Sequence, residues 1–292
     1  MICTRLHGGL GNQLFQYAAG RVLATLNHTT LLLDLSGLSN QPCSETPRKY
    51  ELKHFTLGPT IFAGHESIPK ICKYLAPLSR LYTPWRIHVQ RGNEINAHFF
   101  KLPDQTYLLG YWQSYLYFQC ISSQIFEELS PACTNMIQGT SLLDSIVACK
   151  YHSVALHVRR GDYVSSPSAN FFHGVLPPSY YESAIHRLSE SLEEPHFFIF
   201  SDDPHWCQQN LNLEGFNYSF VSQIQSSAWQ DLLLMSYCHH HIIANSTFSW
   251  WSAWLADQRF GFSRTVIAPS RWCVSPNMIK SDLLFPTHWL VI

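Results

Sequence analysis

The chain is short of charge. Only 13% of its 292 residues are Asp, Glu, Lys or Arg, and the formal net charge is −1. A protein that holds a polyanion along its surface carries a basic excess, so nucleic acid is excluded as the main partner and any anion site must be local. No apolar run approaches a bilayer span. The opening Met1-Ile2-Cys3-Thr4-Arg5-Leu6 lacks the long apolar region of a signal peptide. A cytoplasmic protein without a transmembrane segment is expected, with peripheral membrane contact left open. The nine cysteines include no C-x-x-C pair, which reads as reduced thiols rather than a disulfide framework or a zinc site. No D-x-D occurs, so a metal-bridged diphosphate is not expected and no metal or other cofactor is called for.

Apolar and aromatic residues are plentiful. Hydrophobic residues make up 46% of the chain, ample for a packed core, and nine tryptophans stand among the 14% aromatics. A strand, Ile2 to Leu6, runs into the turn His7-Gly8-Gly9-Leu10-Gly11-Asn12-Gln13. A helix follows to about Asn27, and then a strand, Thr30 to Asp34: a βαβ opening. Residues 36 to 105 are punctuated by seven prolines and read as loops and short helices. A strand, Tyr107 to Tyr111, precedes a helix expected over Ser114 to Glu128, and the polar stretch Ser130 to Thr140 begins a crossing between domains. In the second half four apolar runs read as buried parallel strands: Val154–Val158, Phe197–Phe200, Ile242–Ala244 and Thr265–Ala268. Tyr218–Val221 is a further candidate. Helices are expected after Pro178, with Ser179 and Glu182 at capping-box spacing, near Ser227 with Gln230, and from Ser246 or Thr247. The alternation predicts a doubly wound α/β sheet in each half, divided as 1–149 and 150–292.

Polar residues follow three of these strands. Arg159, Arg160 and Asp162 come after Val158; Ser201, Asp202 and Asp203 after Phe200; Asn245, Ser246, Thr247 and Ser249 after Ala244. Ligands of open parallel sheets bind outside the carboxyl ends of the strands, so the three clusters point to one crevice. Adjacent arginines beside a glycine offer a guanidinium fork to phosphate, or else form surface ion pairs. Asp202 and Asp203 suit a ribose diol or a guanine edge, or the N-cap of a helix. Ser246, Thr247 and Ser249 suit phosphate or capping. Gly9-x-Gly11, with Asp34 beyond, also imitates a dinucleotide fingerprint, but Leu14 fills its third glycine position, which leaves an NAD- or FAD-dependent oxidoreductase as an alternative. His239, His240 and His241 are consecutive and point to opposite faces of a strand, so a shared metal is not expected.

The segments Gly8-Gly9-Leu10-Gly11-Asn12-Gln13-Leu14-Phe15-Gln16-Tyr17, His157-Val158-Arg159-Arg160-Gly161-Asp162-Tyr163, Phe200-Ser201-Asp202-Asp203 and Ile243-Ala244-Asn245-Ser246-Thr247-Phe248-Ser249-Trp250-Trp251 resemble, in order, those of the α-1,2-fucosyltransferase family (glycosyltransferase family 11) of bacteria and animals. The resemblance spans nearly the whole chain, apart from the stretch 36–105, where acceptor choice is expected to lie. It implies a GT-B fold, two Rossmann-like domains facing across a cleft, with the acceptor on the N-terminal side and GDP-L-fucose on the C-terminal side. It implies inverting, metal-independent transfer to a β-galactoside. The implied donor contacts are Gly9, Gly11, Asn12, His157, Arg159, Arg160, Asp162, Asp202, Asp203, Ser246, Thr247, Phe248 and Ser249, with Arg159 and Asn12 nearest the chemistry. Another nucleotide-sugar donor, and a sugar-binding module without catalysis, are the remaining alternatives.

Overall fold

The computed structural model describes residues 1–39, 47–62, 85–92, 95, 97–129, 140–221, 227–274 and 281–292. Pro42, Pro69, Pro77, Pro84 and most of the expected crossing at 130–140 lie outside them. The chain divides into two compact units, Met1–Leu129 and Ser130–Ile292. The division falls before the helix Ser141–Ala148, not after it as the expected boundary at 149/150 would have it.

The first unit is built on a five-stranded parallel sheet. Its strands are β1 (Ile2–Arg5), β2 (Leu31–Asp34), β3 (Thr60–Phe62), β4 (Arg86–Val89) and β5 (Thr106–Leu109), in the order β3-β2-β1-β5-β4. Helix α1 (Leu10–Leu26) connects β1 to β2. It is buried nearly all round, with Leu14, Phe15, Ala18, Val22 and Leu23 fully enclosed. β3 and β4 fall inside the stretch expected to be loops and short helices; both are short edge strands with half-exposed faces, so they lack the apolar run that marks a buried strand. The helix expected over Ser114–Glu128 is instead two 3₁₀ turns, Tyr115–Tyr117 and Gln119–Ile121, leading into α2 (Ser122–Leu129).

The second unit carries six strands: β6 (Ser153–Val158), β7 (His196–Ser201), β8 (Asn217–Phe220), β9 (His240–Ile242), β10 (Val266–Ala268) and β11 (Leu290–Val291). Their order is β8-β7-β6-β9-β10-β11, with every pairing parallel. From β6 the chain winds outward through β7 to β8, then returns to β6's other side with β9. The order therefore reverses beside β6, which is where a doubly wound sheet takes its ligand. The unit's helices include α3 (Ser141–Ala148), α4 (Gly161–Ser165), α5 (Pro167–His173), α6 (Pro178–Ser189), α7 (Pro204–Asn210), α8 (Ala228–Ser236) and α9 (Thr247–Phe260). The Ser227/Gln230 capping box forms at α8. The one expected at Ser179/Glu182 does not, because α6 starts at Pro178 and puts Ser179 inside the first turn. The aromatic surplus is mostly core: Trp250, Trp251 and Trp254 of α9 are buried, each contributing roughly 2–3 kcal/mol by burial. Two α/β units with Rossmann-type strand orders are the fold class expected of a GT-B protein.

Candidate functional site

β6, β7 and β9 are neighbours in the sheet, with β6 central. The three polar clusters predicted from sequence therefore stand side by side in space. Arg159 leaves β6 and is gripped on both sides: one terminal nitrogen donates to Asp162 Oδ1 at 2.6 Å, and the other lies 2.8 Å from Asp202 Oδ2. Burial alone would lower the guanidinium pKa, but Asp202 and Asp162 outweigh it and raise it. A guanidinium has five N–H donors, and these two bonds leave three for a ligand. Arg160 donates its backbone N–H to Asp202 Oδ1 (2.8 Å) and its Nε–H to Asp203 Oδ2 (3.1 Å). Its guanidinium lies 4.1 Å over the Trp206 ring. Gly161 is required between arginine and aspartate, because a Cβ there would sit 2.6 Å from Asp202 Oδ2.

The ion pairs expected as the alternative to a phosphate fork are present. Asp202 and Asp203, expected at a nucleoside, have the arginines as their first partners. Asp203 also caps α7, accepting from Trp206 N at 3.1 Å. At the third strand Ser246 is the N-cap of α9, accepting from Phe248 N. Ser249 lies deeper than the others. It is fully buried and its hydroxyl donates to Ser246 O at 3.3 Å, so it serves the helix rather than a phosphate. Thr247 and Phe248 remain half-exposed at the helix start.

Several contacts were not foreseen. Tyr163 stacks on His173 at 4.5 Å and donates to Asn245 O at 3.2 Å. Asn245 donates through Nδ2 to His173 O and Gly174 O. Asn245 Oδ1 and His157 Nδ1 are buried without a hydrogen-bond partner among the described residues, a condition that in native structures calls for a ligand or water. An asparagine buried directly after a strand, in a sequon no glycan could reach, was the available signal.

His157 is 5% exposed at the end of β6. Burial, and then the Arg159 charge, push its pKa down to about 3. It is therefore a neutral hydrogen-bonding group near pH 7, not a proton shuttle. Burial likewise lowers His7, His173 and His240 to about 4. These groups stay neutral in the folded state at pH values where the unfolded chain, with imidazoles near 6.5, binds protons. Stability is complete above that value and is lost as pH falls toward the folded values. Calorimetric melting temperatures are expected to fall steadily from about pH 7 to 5 and to stay level from about pH 7 to 8. A flat profile below 7 would show that the folded imidazoles are charged.

In the first unit the glycine loop leads from β1 into α1. Gly9 is the N-cap, and Gly11 and Asn12 lie in the first turn. Gly8 has φ +78°, and a Cβ there would meet Asn12 Nδ2 at 2.6 Å, so only glycine fits. Gln13 Nε2 donates to Gly8 O and Lys49 O, and its Oε1 accepts from Glu51 N. Gln16 Oε1 accepts from His7 N. Two glutamines three apart on a mostly apolar helix, both buried, are the sequence trace of this bracing. The dinucleotide reading fails at Asp34: its carboxylate accepts from Ser36 N (2.8 Å), Ser36 Oγ (2.9 Å) and Tyr107 OH (2.5 Å), so it serves its own turn and not a ribose. His239, His240 and His241 each bond to separate protein groups, and among the described residues no cluster of metal-ligating side chains forms.

Fold and site together define an α/β protein with a cluster of paired arginines and carboxylates at the switch point of its second sheet. Residues 86–292 match the family described as Glycosyl transferase family 11. The chain belongs to that family and is a glycosyltransferase. It is 32% identical to an alpha-1,2-colitosyltransferase of Escherichia coli, over 100% of this chain and 99% of that one. It is also 32% identical to the O-antigen biosynthesis glycosyltransferase WbnK of Escherichia coli, over 94% and 96%. With the Homo sapiens galactoside alpha-(1,2)-fucosyltransferase 1 it shares 26% identity, over 98% of this chain and 73% of the relative. Among the described residues no helix is long and apolar enough to cross a membrane.

Proposed function

We propose that the enzyme moves L-fucose from GDP-β-L-fucose to the 2-hydroxyl of a terminal β-galactoside, forming an α-1,2 linkage with inversion at C1. The observation that carries this reading is the arginine pair at the end of β6, braced by Asp162, Asp202 and Asp203 beside the N-terminus of α9. The bond from C1 to the β-phosphate oxygen breaks, and its electrons pass to the diphosphate. Guanidinium groups held there beforehand stabilise that charge more in the transition state than in the ground state. The acceptor oxygen bonds C1 from the opposite face and loses its proton late. Asn12 is assigned to the reacting hydroxyl on the family resemblance. The buried His157 Nδ1 and Asn245 Oδ1 are assigned to the donor. Since arginines supply the positive charge, transfer is expected without metal. The thiol pattern supports a cytoplasmic location.

A second reading changes only the donor. The relative named a colitosyltransferase favours a nucleotide-activated colitose, the sugar being fucose without its 3-hydroxyl. The deciding experiment incubates the enzyme with each donor and a β-galactoside in EDTA, follows GDP release, and reads the product linkage and anomeric form by NMR. An α-1,2-fucosyl product, with kcat/KM higher for GDP-fucose, is the expected result. Preference for the deoxy donor would establish the second reading, and absence of GDP release with both would sink each.

A further inference from the structure

The search for chemistry outside the arginine cluster leads to the segment after β5. Trp112 has φ +56°, a left-handed conformation that a bulky residue adopts only when its surroundings enforce it. The surroundings here do so. Its side chain is 1% exposed and ringed by Phe99 (5.3 Å), Tyr117 (5.5 Å) and His88, which stacks on it at 5.8 Å. Gln90 Oε1 accepts from both Tyr111 N and Trp112 N, each at 2.9 Å. Gly110 permits this approach, since a Cβ there would lie 2.5 Å from Gln90 Cβ. Backbone strain of this kind gathers at functional sites, where the fold holds a neighbour in an exact pose.

Both neighbours of Trp112 reach the glycine loop. Tyr111 packs its ring on His7 at 4.3 Å. Gln113 Nε2 donates to Asn12 Oδ1 at 2.9 Å. With Oδ1 turned to Gln113, Asn12 Nδ2 lies against Gly8.

We propose that the turn Gly110–Gln113 is a positioning device, in which Gln113 fixes the Asn12 amide so that its N–H end, not its carbonyl end, faces the glycine loop. The proposal rests on the assignment of Asn12 to the reacting hydroxyl. Asn12 then acts as a hydrogen-bond donor that orients an oxygen, and does not remove the acceptor's proton. Gln113 touches no substrate; it works through Asn12.

The test is steady-state kinetics with GDP-fucose and a β-galactoside on Gln113→Met, Gln113→Glu, Asn12→Ala and the double variant Asn12→Ala/Gln113→Met. Gln113→Met is expected to lower kcat about tenfold through misplacement of a reacting group, with the donor KM within about twofold of wild type. Gln113→Glu is expected to be worse. Its carboxylate only accepts hydrogen bonds, so it pulls Nδ2 toward itself and turns the carbonyl of Asn12 to the loop. In the Asn12→Ala background Gln113→Met should cost nothing more, because two residues acting through one group are not additive. Multiplying effects in the double variant would overturn the proposal while leaving Asn12 in place. Full activity of Asn12→Ala would remove the assignment beneath it. If Gln113→Met does not fold, the isosteric Gln113→Glu carries the comparison, and undiminished kcat there is decisive against.

Discussion

Arg159→Lys is expected to lower kcat/KM on the order of a hundredfold or more while leaving the protein folded. Lysine keeps the positive charge between Asp162 and Asp202, so the two carboxylates, 13% and 27% exposed, are not left facing each other unpaired. What it loses is the planar fork, which holds both carboxylates and still has N–H groups for a diphosphate; a single ammonium cannot hold that geometry. Arg159→Ala removes the charge as well. Its activity loss should be at least as large, accompanied by a drop in melting temperature that the lysine variant does not share. Comparing the two by stopped GDP-release assays and calorimetry separates the catalytic contribution from the structural one. Activity within a few-fold of wild type in Arg159→Lys would show that the fork is not used.

The largest effect on stability is expected at the opposite end of the sheet, where β9 and β10 begin. Arg264 and Asp257 form an ion pair with side-chain exposures of 0% and 1%. Arg264 also donates to Ala253 O at 3.0 Å, to His239 O and to the His241 ring. Asp257 accepts from Trp289 Nε1 at 2.7 Å and bonds His288 at 3.0 Å. The pair therefore fastens α9, the entry to β9 and the last strand together. Asp257→Ala leaves a buried guanidinium without its counter-charge and should cost about 3–5 kcal/mol, whereas replacing both partners by apolar residues of similar size should cost far less. Urea unfolding of the single and double variants measures the difference. A single-variant loss below about 1 kcal/mol would mean that Arg264 finds water or another acceptor.

Much of the second unit was legible because its strands are buried on both faces. Val154–Val158 and Phe197–Phe200 read as continuous apolar runs, and the change from apolar to charged at Val158/Arg159 marks a strand end without any structure. The edges were not legible. Arg86–Val89 mixes charged and apolar residues, and Leu290–Val291 is too short to carry a period. At the site, the identities of Arg159, Arg160, Asp202 and Asp203 were plain, but their partnership was not, since strand order decides which carboxylate meets which arginine. The expectation that Asp202 serves a nucleoside arose from its place at a strand end; its place beside β6 gives it two arginine partners first. Gln113 escaped notice because an amide in a loop has no periodic signature, and the strain at Trp112 that aims it exists only in three dimensions.

The bracing of the arginines also governs how a donor arrives. Two guanidinium groups stand among three carboxylates, Asp162, Asp202 and Asp203, and the whole chain carries a formal charge of −1. A doubly charged diphosphate approaching from a Debye length away, about 8–10 Å at ordinary salt, therefore meets no net positive field to draw it in. On the proposed reading, capture is decided at close range, by geometry within hydrogen-bond reach. Such a site does not collect free phosphates and polyanions from its surroundings. It trades speed of encounter for selectivity, and its association rate should be nearly indifferent to ionic strength.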